Sequence, residues 1–255
     1  MHPDCLTEAD IRQTEPLKLL RLVGGYYLCP KDAHGRRLGK LVGYSAVYEA
    51  PNGTKKQYVG DVYANFALVE QHPIILQTWA SMMADELAMV RPTLILGMPM
   101  GGIFSAFAWA AALPGVRCAF AEKKVTALAT AEKREQSEPV LGRHSVRRGD
   151  RVLIAEDVCN NFSTTNKAIK LVLGAGGEVA GIVCWLNRSR HSSIATLGAP
   201  GSMIPVISLV HKELPEYEQE DLRVAGDIVA GNVALKPKEK EVWAELQASM
   251  QTALS

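Results

Sequence analysis

Residues 151–166 read Arg151-Val-Leu-Ile-Ala-Glu-Asp-Val-Cys-Asn-Asn-Phe-Ser-Thr-Thr-Asn166, and this stretch decides the predicted fold. An apolar run typical of a buried strand ends in Glu156 and Asp157, and Thr164 and Thr165 can cap the helix that follows. Open α/β sheets bind ligands at the carboxyl ends of strands, with phosphate on the next helix N-terminus. The stretch therefore predicts a sugar-phosphate site, with carboxylates for ribose hydroxyls or a metal ion and backbone N–H groups for phosphate. The alternative is an ordinary strand–turn–helix unit with a surface acidic pair.

Composition limits the class of protein. The chain has 255 residues, 47% hydrophobic and 22% charged, with a net charge of +1, which is typical of a globular α/β protein and favours neither a nucleic-acid nor a membrane partner. It contains no apolar run of the roughly 20 residues that span a bilayer, and its N-terminus lacks the pattern of a signal peptide. The five cysteines are odd in number and never spaced as Cys-x-x-Cys. We therefore expect a protein of the reducing cytoplasm.

Three segments follow one another along the chain. Residues 1–70 are expected to form an N-terminal subdomain, or hood, in which Asn52-Gly53 joins the strands of a β-hairpin. Residues 71–212 alternate predicted strands and helices, which indicates a doubly wound, mostly parallel sheet. Residues 213–255 form a tail with one helix. The helix predicted over residues 103–113 is apolar enough to be buried.

Three further patterns in the core predict chemistry. The run Gly97-Met-Pro-Met-Gly-Gly102 follows a buried strand, and its glycines allow a close backbone approach to a ligand just before a helix. Residues 122–149 are long, charged and without apolar periodicity, which indicates a functional loop or a solvated one. The strand over residues 181–187 ends in Leu-Asn-Arg188, where an arginine could recognise a carboxylate or lie on the surface.

The stretch around Glu156 and Asp157 resembles the phosphoribosyl pyrophosphate motif of type I phosphoribosyltransferases. Val152 to Cys159 and Thr164 fit that motif, whereas the family usually has Thr and Gly where this chain has residues 160–163. The resemblance implies the type I phosphoribosyltransferase fold, with catalytic roles for Glu156, Asp157 and Lys123. It implies that phosphoribosyl pyrophosphate is bound by Met100, Gly101, Gly102, Lys124, Glu156, Asp157, Asn160, Asn161, Phe162, Ser163 and Thr164.

The end of the strand at Arg188 is similar to that of orotate phosphoribosyltransferases, which have Leu-Asp-Arg at this point. The resemblance implies that Arg188 and, on a looser match, Lys31 contact the base; a surface lysine is the alternative for Lys31. Lys123 matches a basic residue of that family's flexible loop, which reaches the pyrophosphate of a partner subunit. The further Lys and His of the loop are missing, and Lys133, Arg134 and Arg143 are the candidates to replace them.

The implied function is transfer of the phosphoribosyl group from phosphoribosyl pyrophosphate to a nucleobase, orotate in this branch. Mg²⁺ is the implied cofactor, held through the substrate rather than by direct protein ligands, and a homodimer is the implied assembly. Two alternatives stay open: a phosphoribosyltransferase for another base, and a regulatory protein that senses phosphoribosyl pyrophosphate without turnover.

The divergent loop carries one conformational expectation. If residues 162 and 163 needed the left-handed backbone that glycine permits, each would cost roughly 1–2 kcal/mol. We therefore expect the loop to follow another path, with Ser163, Thr164 and the side chains of Asn160 and Asn161 supplying donors to the phosphate.

Overall fold

The computed structural model of the protein describes residues 3–127, 136–195 and 202–252. The helices are α1 (Glu8–Gln13), α2 (Pro16–Leu22), α3 (Pro73–Met89), α4 (Gly102–Ala112), α5 (Ser163–Gly174), α6 (Ala225–Val229) and α7 (Lys240–Thr252). The strands are β1 (Tyr26–Leu28), β2 (Leu41–Glu49), β3 (Lys55–Gly60), β4 (Val62–Ala64), β5 (Leu94–Gly97), β6 (Arg117–Phe120), β7 (Glu122–Ala127), β8 (Gln136–Val140), β9 (Arg151–Cys159), β10 (Glu178–Asn187), β11 (Ser193–Ala195), β12 (Met203–His211) and β13 (Val233–Ala234). No helix among these is long and apolar enough to cross a bilayer.

The chain divides into two compact units. One holds Pro3–Pro16 and Glu70–Glu213, and the other holds Leu17–Val69 together with residues 214–252. This division differs from the expected one at both ends of the chain. The first residues fold with the core because α1 packs on α3. The expected separate tail folds with residues 17–69, because its apolar side chains join their core.

The larger unit contains a six-stranded sheet in the order β11-β12-β10-β9-β5-β6. Every pair in it is parallel except β11 with β12, which confirms the predicted mostly parallel α/β sheet. Because parallel strands end at the same edge, the carboxyl ends of β5, β9 and β10 are neighbours. The segments that follow these three strands therefore lie together.

Helices cover both faces of this sheet, as a doubly wound fold requires. On one face, Ala168, Ile169 and Val172 of α5 share a buried cluster with side chains of β5, β9, β10 and β12. On the other face, the Trp185 indole donates a hydrogen bond to Ser105 of α4 at 2.7 Å. Consecutive strand side chains point to opposite faces, so each core strand is apolar on both sides and reads as a continuous hydrophobic run.

The segment 122–149, expected to lack structure, contains an antiparallel ribbon of β7 and β8. Lys124 lies opposite Glu138 in this ribbon, and such opposite-charge pairs stabilise a sheet by about 0.2–1 kcal/mol. The expectation of a segment without structure was wrong because these two strands pair although they lack the apolar alternation by which a strand is recognised in a sequence. Lys133 and Arg134 lie outside the described residues.

The smaller unit is built on the predicted hairpin, in which β2 pairs antiparallel with β3 and β13 joins β2. Its buried cluster combines Tyr27, Val42 and Tyr44 with Trp243 and Leu246 of α7. The Trp243 indole also donates to the Gly24 carbonyl at 3.1 Å. These contacts hold the C-terminal helix on the hairpin subdomain.

Candidate active site

Glu156 and Asp157 lie in the last four residues of the strand β9, near the carboxyl edge of the sheet, and both are half-buried. Adjacent strand residues point to opposite faces. Glu156 lies on the same face of the sheet as Ile154, whose side chain belongs to the buried cluster beneath α5. Asp157 lies on the opposite face, which α4 covers. The two carboxylates therefore flank the strand end from either side.

The glycine loop after β5 contacts Asp157 directly. The Met98 N–H donates to the Ala155 carbonyl at 2.9 Å, which joins the loop to β9. A Cβ on Gly101 would overlap the Asp157 carboxylate, and a Cβ on Gly102 would overlap the Ala155 carbonyl. Glycine is therefore required at both positions by close approach, and the loop predicted to bind diphosphate touches one predicted ribose carboxylate.

Phe162 has φ 56° and ψ 18°, the left-handed conformation. The expectation that the loop follows another path is therefore wrong at this residue, while Ser163 is the first residue of α5. Phe162 is 7% exposed, and its phenyl ring packs in the buried cluster that α5 forms with the sheet. Burying such a ring stabilises by about 1.5–3 kcal/mol, which offsets the roughly 1–2 kcal/mol that the left-handed backbone costs.

The loop and the first turn of α5 present hydrogen-bond donors. The Asn161 Oδ1 accepts from the Ser163 N–H at 3.2 Å, so this side chain acts as an acceptor to its own loop. The Asn166 N–H donates to the Phe162 carbonyl at 2.8 Å. Among the described residues, no group accepts a hydrogen bond from the N–H of Thr164 or Thr165. Free N–H groups at a helix N-terminus attract anions.

The side chains around this turn leave it open to a ligand. Asn161, Ser163 and Thr164 are exposed, and Asn160 is half-buried. Thr165 is buried, and no sequence pattern indicated a role for its N–H. The helix start at Ser163, rather than after Thr164, is what makes the Thr165 amide a candidate donor.

Arg188 follows β10 and is 7% exposed, so it is not the surface residue that the alternative required. Its N–H donates to the Cys159 carbonyl at 2.9 Å, which places its backbone beside the end of β9. The preceding Asn187 donates from Nδ2 to the His191 carbonyl at 2.7 Å and accepts from the Ser189 N–H at 3.0 Å. Asn187 thus closes the turn that carries Arg188, a role that the Asn-x-Ser sequence after a strand could have indicated.

The basic residues of the β7–β8 ribbon have different environments. Lys123 and Lys124 are exposed on β7. Arg143 instead donates to Glu122 at 3.1 Å and, together with its own N–H, lowers the pKa of that carboxyl. Lys167 of α5 donates to the Ser137 carbonyl of β8 at 2.9 Å, so the ribbon is joined to the helix that follows β9.

Lys31 lies in the smaller unit, where its ammonium pairs with Asp61 at 2.9 Å. Burial would raise the pKa of Asp61, but hydrogen bonds from Arg37 and Lys31 outweigh it and lower the pKa. Arg37 extends the network to Asp227 at 3.0 Å. Lys31 therefore has a structural partner in its own unit.

Cys159 is a packing residue in the α5 cluster. A hydrogen bond with Cys184 and burial raise the pKa of its thiol well above the ordinary value, and the Glu156 and Asp157 charges add to the shift. A thiol held protonated in this way is a poor nucleophile. Within the described residues, no group of three His, Cys, Asp or Glu side chains could hold a metal ion.

The chain is 30% identical over 181 residues to the orotate phosphoribosyltransferase of Pelotomaculum thermopropionicum. The aligned residues cover 71% of this chain and 84% of the relative. It is 28% identical over 161 residues to the orotate phosphoribosyltransferase of Caldanaerobacter subterraneus, covering 63% and 75%. The crystal structure of Mycobacterium tuberculosis H37Rv orotate phosphoribosyltransferase in complex with Fe(III) dicitrate gives a TM-score of 0.44 at 19% identity, over 68% of this chain and 89% of that chain. No family model matches. The identity to the first relative, over more than four-fifths of its length, confirms the resemblance: the chain belongs to the type I phosphoribosyltransferase family of enzymes, in its orotate branch.

Proposed function

We propose that the protein transfers the phosphoribosyl group from phosphoribosyl pyrophosphate to orotate, giving orotidine 5′-monophosphate and pyrophosphate. The observation that carries the proposal is the contact between Gly101 and Asp157. A diphosphate on the glycine loop and a ribose on this carboxylate would belong to one substrate molecule. The named relatives support orotate as the base.

The donor substrate would be held at three points. The N–H groups of Thr164 and Thr165, with the exposed Ser163 and Thr164 side chains, suit the 5′-phosphate. Asp157 and Glu156 suit the ribose hydroxyls, since a carboxylate accepts hydrogen bonds only. The backbone of Met100 to Gly102 suits the diphosphate, with the exposed Lys123 and Lys124 supplying positive charge.

In the reaction, the bond between C1 of ribose and a diphosphate oxygen breaks, and pyrophosphate leaves with the electron pair. A ring nitrogen of orotate forms the new bond to C1 and loses its proton, which an oxygen of the departing pyrophosphate can accept. Positive charge grows on the ribose ring between these events, and the Asp157 and Glu156 carboxylates stabilise it. A buried Arg188 guanidinium suits the orotate carboxylate because it offers a planar fork of donors.

Mg²⁺ fits this site through its chemistry, since the cation prefers oxygen ligands and commonly binds one or two carboxylates plus substrate phosphates. In this proposal the cation is held through diphosphate and ribose oxygens of the substrate rather than by direct protein ligands, while Asp157 and Glu156 bind the ribose hydroxyls. When bound, the cation neutralises charge on the diphosphate.

The first test is pyrophosphate release from phosphoribosyl pyrophosphate plus orotate. Asp157→Asn should lower kcat at least about tenfold, near 1.4 kcal/mol of barrier, because it removes a charge beside the ribose. Asp85→Asn, on the exposed side of α3, is the matched control and should leave kcat unchanged. An unchanged rate in Asp157→Asn would remove this carboxylate from the mechanism.

The same assay separates the alternatives. Turnover with adenine or uracil but not orotate would identify a phosphoribosyltransferase for another base. Binding of phosphoribosyl pyrophosphate in calorimetry, with no turnover of any base at high enzyme concentration, would identify a sensor. The left-handed Phe162 suits phosphate binding in either case, so turnover is the property that separates the enzyme from the sensor.

We also propose a homodimer that buries one face of α4. The helix has no charged residue, yet Phe104 and Phe107 are 60% and 64% exposed, which corrects the expectation that this helix is fully buried. A helix that is apolar all round is normally covered. At about 200 Å² per aromatic side chain, the two rings expose roughly 250 Å², about a third of the ~800 Å² that a standard interface buries on each partner.

A second copy of the chain suits this face because two uncharged helices meet without charge repulsion. Analytical ultracentrifugation should show a dimer that Phe104→Ser/Phe107→Ser converts to monomer. Leu222→Ser/Val229→Ser, at apolar residues that are also exposed, should remain dimeric. A dimer unaffected by the phenylalanine changes would place the interface elsewhere.

The five cysteines are all free thiols. A reducing compartment keeps them in this state, and we include a cytoplasmic location in the proposal.

A further inference from the structure

Phe162 connects the surface of the phosphate loop to the core. Its neighbours Asn161 and Ser163 are exposed, whereas its own ring is 7% exposed. The ring belongs to the same buried cluster as Ala168 and Ile169 of α5. A side chain at the tip of the loop thus lies in the interior, where a glycine would have none.

This burial restrains the backbone on which the free amides depend. The Phe162 carbonyl accepts the Asn166 N–H at 2.8 Å, and the left-handed turn at Phe162 directs the chain into α5. A different loop conformation would take the ring out of the cluster into water, which is unfavourable. The N–H groups of Thr164 and Thr165 are therefore aligned before a ligand arrives.

We propose that Phe162 is a positioning residue that holds the phosphate loop in its anion-binding conformation through its buried ring. The inference rests on the proposed function, since it assumes that the loop binds the 5′-phosphate. Preorganisation of this kind raises affinity by removing the cost of ordering the loop. A phosphate far from the breaking bond is bound equally before and during the reaction, so the effect falls on KM and not on kcat.

The test compares three variants by calorimetry with ribose 5-phosphate and by steady-state kinetics. Phe162→Gly keeps the left-handed backbone accessible but removes the anchor, and should raise Kd and the KM for phosphoribosyl pyrophosphate about tenfold with kcat nearly unchanged. Phe162→Leu retains a buried side chain and should stay within about threefold of the wild type. Ile169→Ala removes volume from the same cluster without touching the loop, and should lower the Tm but not the affinity.

Equal affinity of Phe162→Gly and wild type would overturn the inference, as would an equal loss in Ile169→Ala, which would show only general destabilisation. If Phe162→Gly does not fold, amide order parameters of the free wild-type protein decide whether the loop is ordered before a ligand binds. Values near 0.85 for residues 161–165 support a prealigned loop, and values below 0.6 refute it. Wild-type protein that binds no ribose 5-phosphate would refute the proposed phosphate site itself, and the inference with it.

Discussion

Replacing Gly101 by alanine tests the contact on which the proposed site depends. Gly101 has φ −64° and ψ −24°, a conformation that alanine adopts without strain. The change therefore acts only through the added methyl group. That methyl would lie 2.8 Å from Oδ1 of Asp157 and closer still to its Cγ and Oδ2.

The magnitude follows from the overlap. An ordinary contact between heavy atoms is about 3.5 Å, so the carboxylate or the loop must retreat by roughly 1 Å. A misplacement of about 1 Å can cost 10²-fold in rate, which corresponds to about 2.7 kcal/mol of barrier. The free energy of unfolding should fall by about 1–3 kcal/mol, as is usual for an overpacked site.

The assay measures pyrophosphate release from phosphoribosyl pyrophosphate and orotate, with thermal unfolding as the check on folding. We expect kcat/KM of Gly101→Ala to fall about 100-fold while the protein stays folded. Gly174→Ala, where a Cβ meets no atom within 4 Å, is the matched control and should keep the wild-type rate. A Gly101→Ala rate within about threefold of wild type would show that the contact between loop and carboxylate does not matter for the reaction.

Two further predictions concern stability. Burial would raise the pKa of Asp150, but its hydrogen bonds, chiefly from Arg117, outweigh burial and lower that pKa. The ionised Asp150 therefore stabilises the folded protein fully above the unfolded pKa near 4, and this stabilisation is lost as the pH falls through the folded pKa. In urea titrations, Asp150→Asn should lower the unfolding free energy by about 1.5–3 kcal/mol at pH 7, and by less and less below about pH 4; a pH-independent difference would contradict this. Asn187→Ala removes the donor to the His191 carbonyl and the acceptor of the Ser189 N–H, and should cost about 1–3 kcal/mol in urea unfolding and raise the KM for orotate through Arg188. Unchanged stability and KM would show that the turn does not depend on the amide.

The sheet could be predicted from local sequence because each core strand carries its own signal. The apolar run at 152–155 lies inside β9, and the acidic pair lies at the strand end. Asn52-Gly53 likewise predicted the hairpin of β2 and β3. Strand periodicity and turn residues are local properties, so one chain segment suffices to read them.

The ribbon of β7 and β8 and the partners of the C-terminal helix could not be predicted in this way. The ribbon has no apolar alternation, and its pairing places Lys124 opposite a residue fourteen positions away in the chain. Trp243 and Leu246 share a buried cluster with residues of the N-terminal half of the chain. Such contacts depend on long-range packing, which leaves no periodic signal in the segment itself.

The candidate site likewise combines features that local sequence predicts with features that depend on long-range packing. Local sequence was enough to predict that two carboxylates follow a buried strand, that glycines follow another, and that both strands belong to a parallel sheet. Three features required the folded chain: Gly101 touches Asp157, Arg188 is buried beside the end of β9, and Phe162 takes a left-handed turn. The physical reason is that close approach and burial are properties of pairs of segments. A left-handed phenylalanine is tolerated because its ring enters a core that several distant strands and a helix build together.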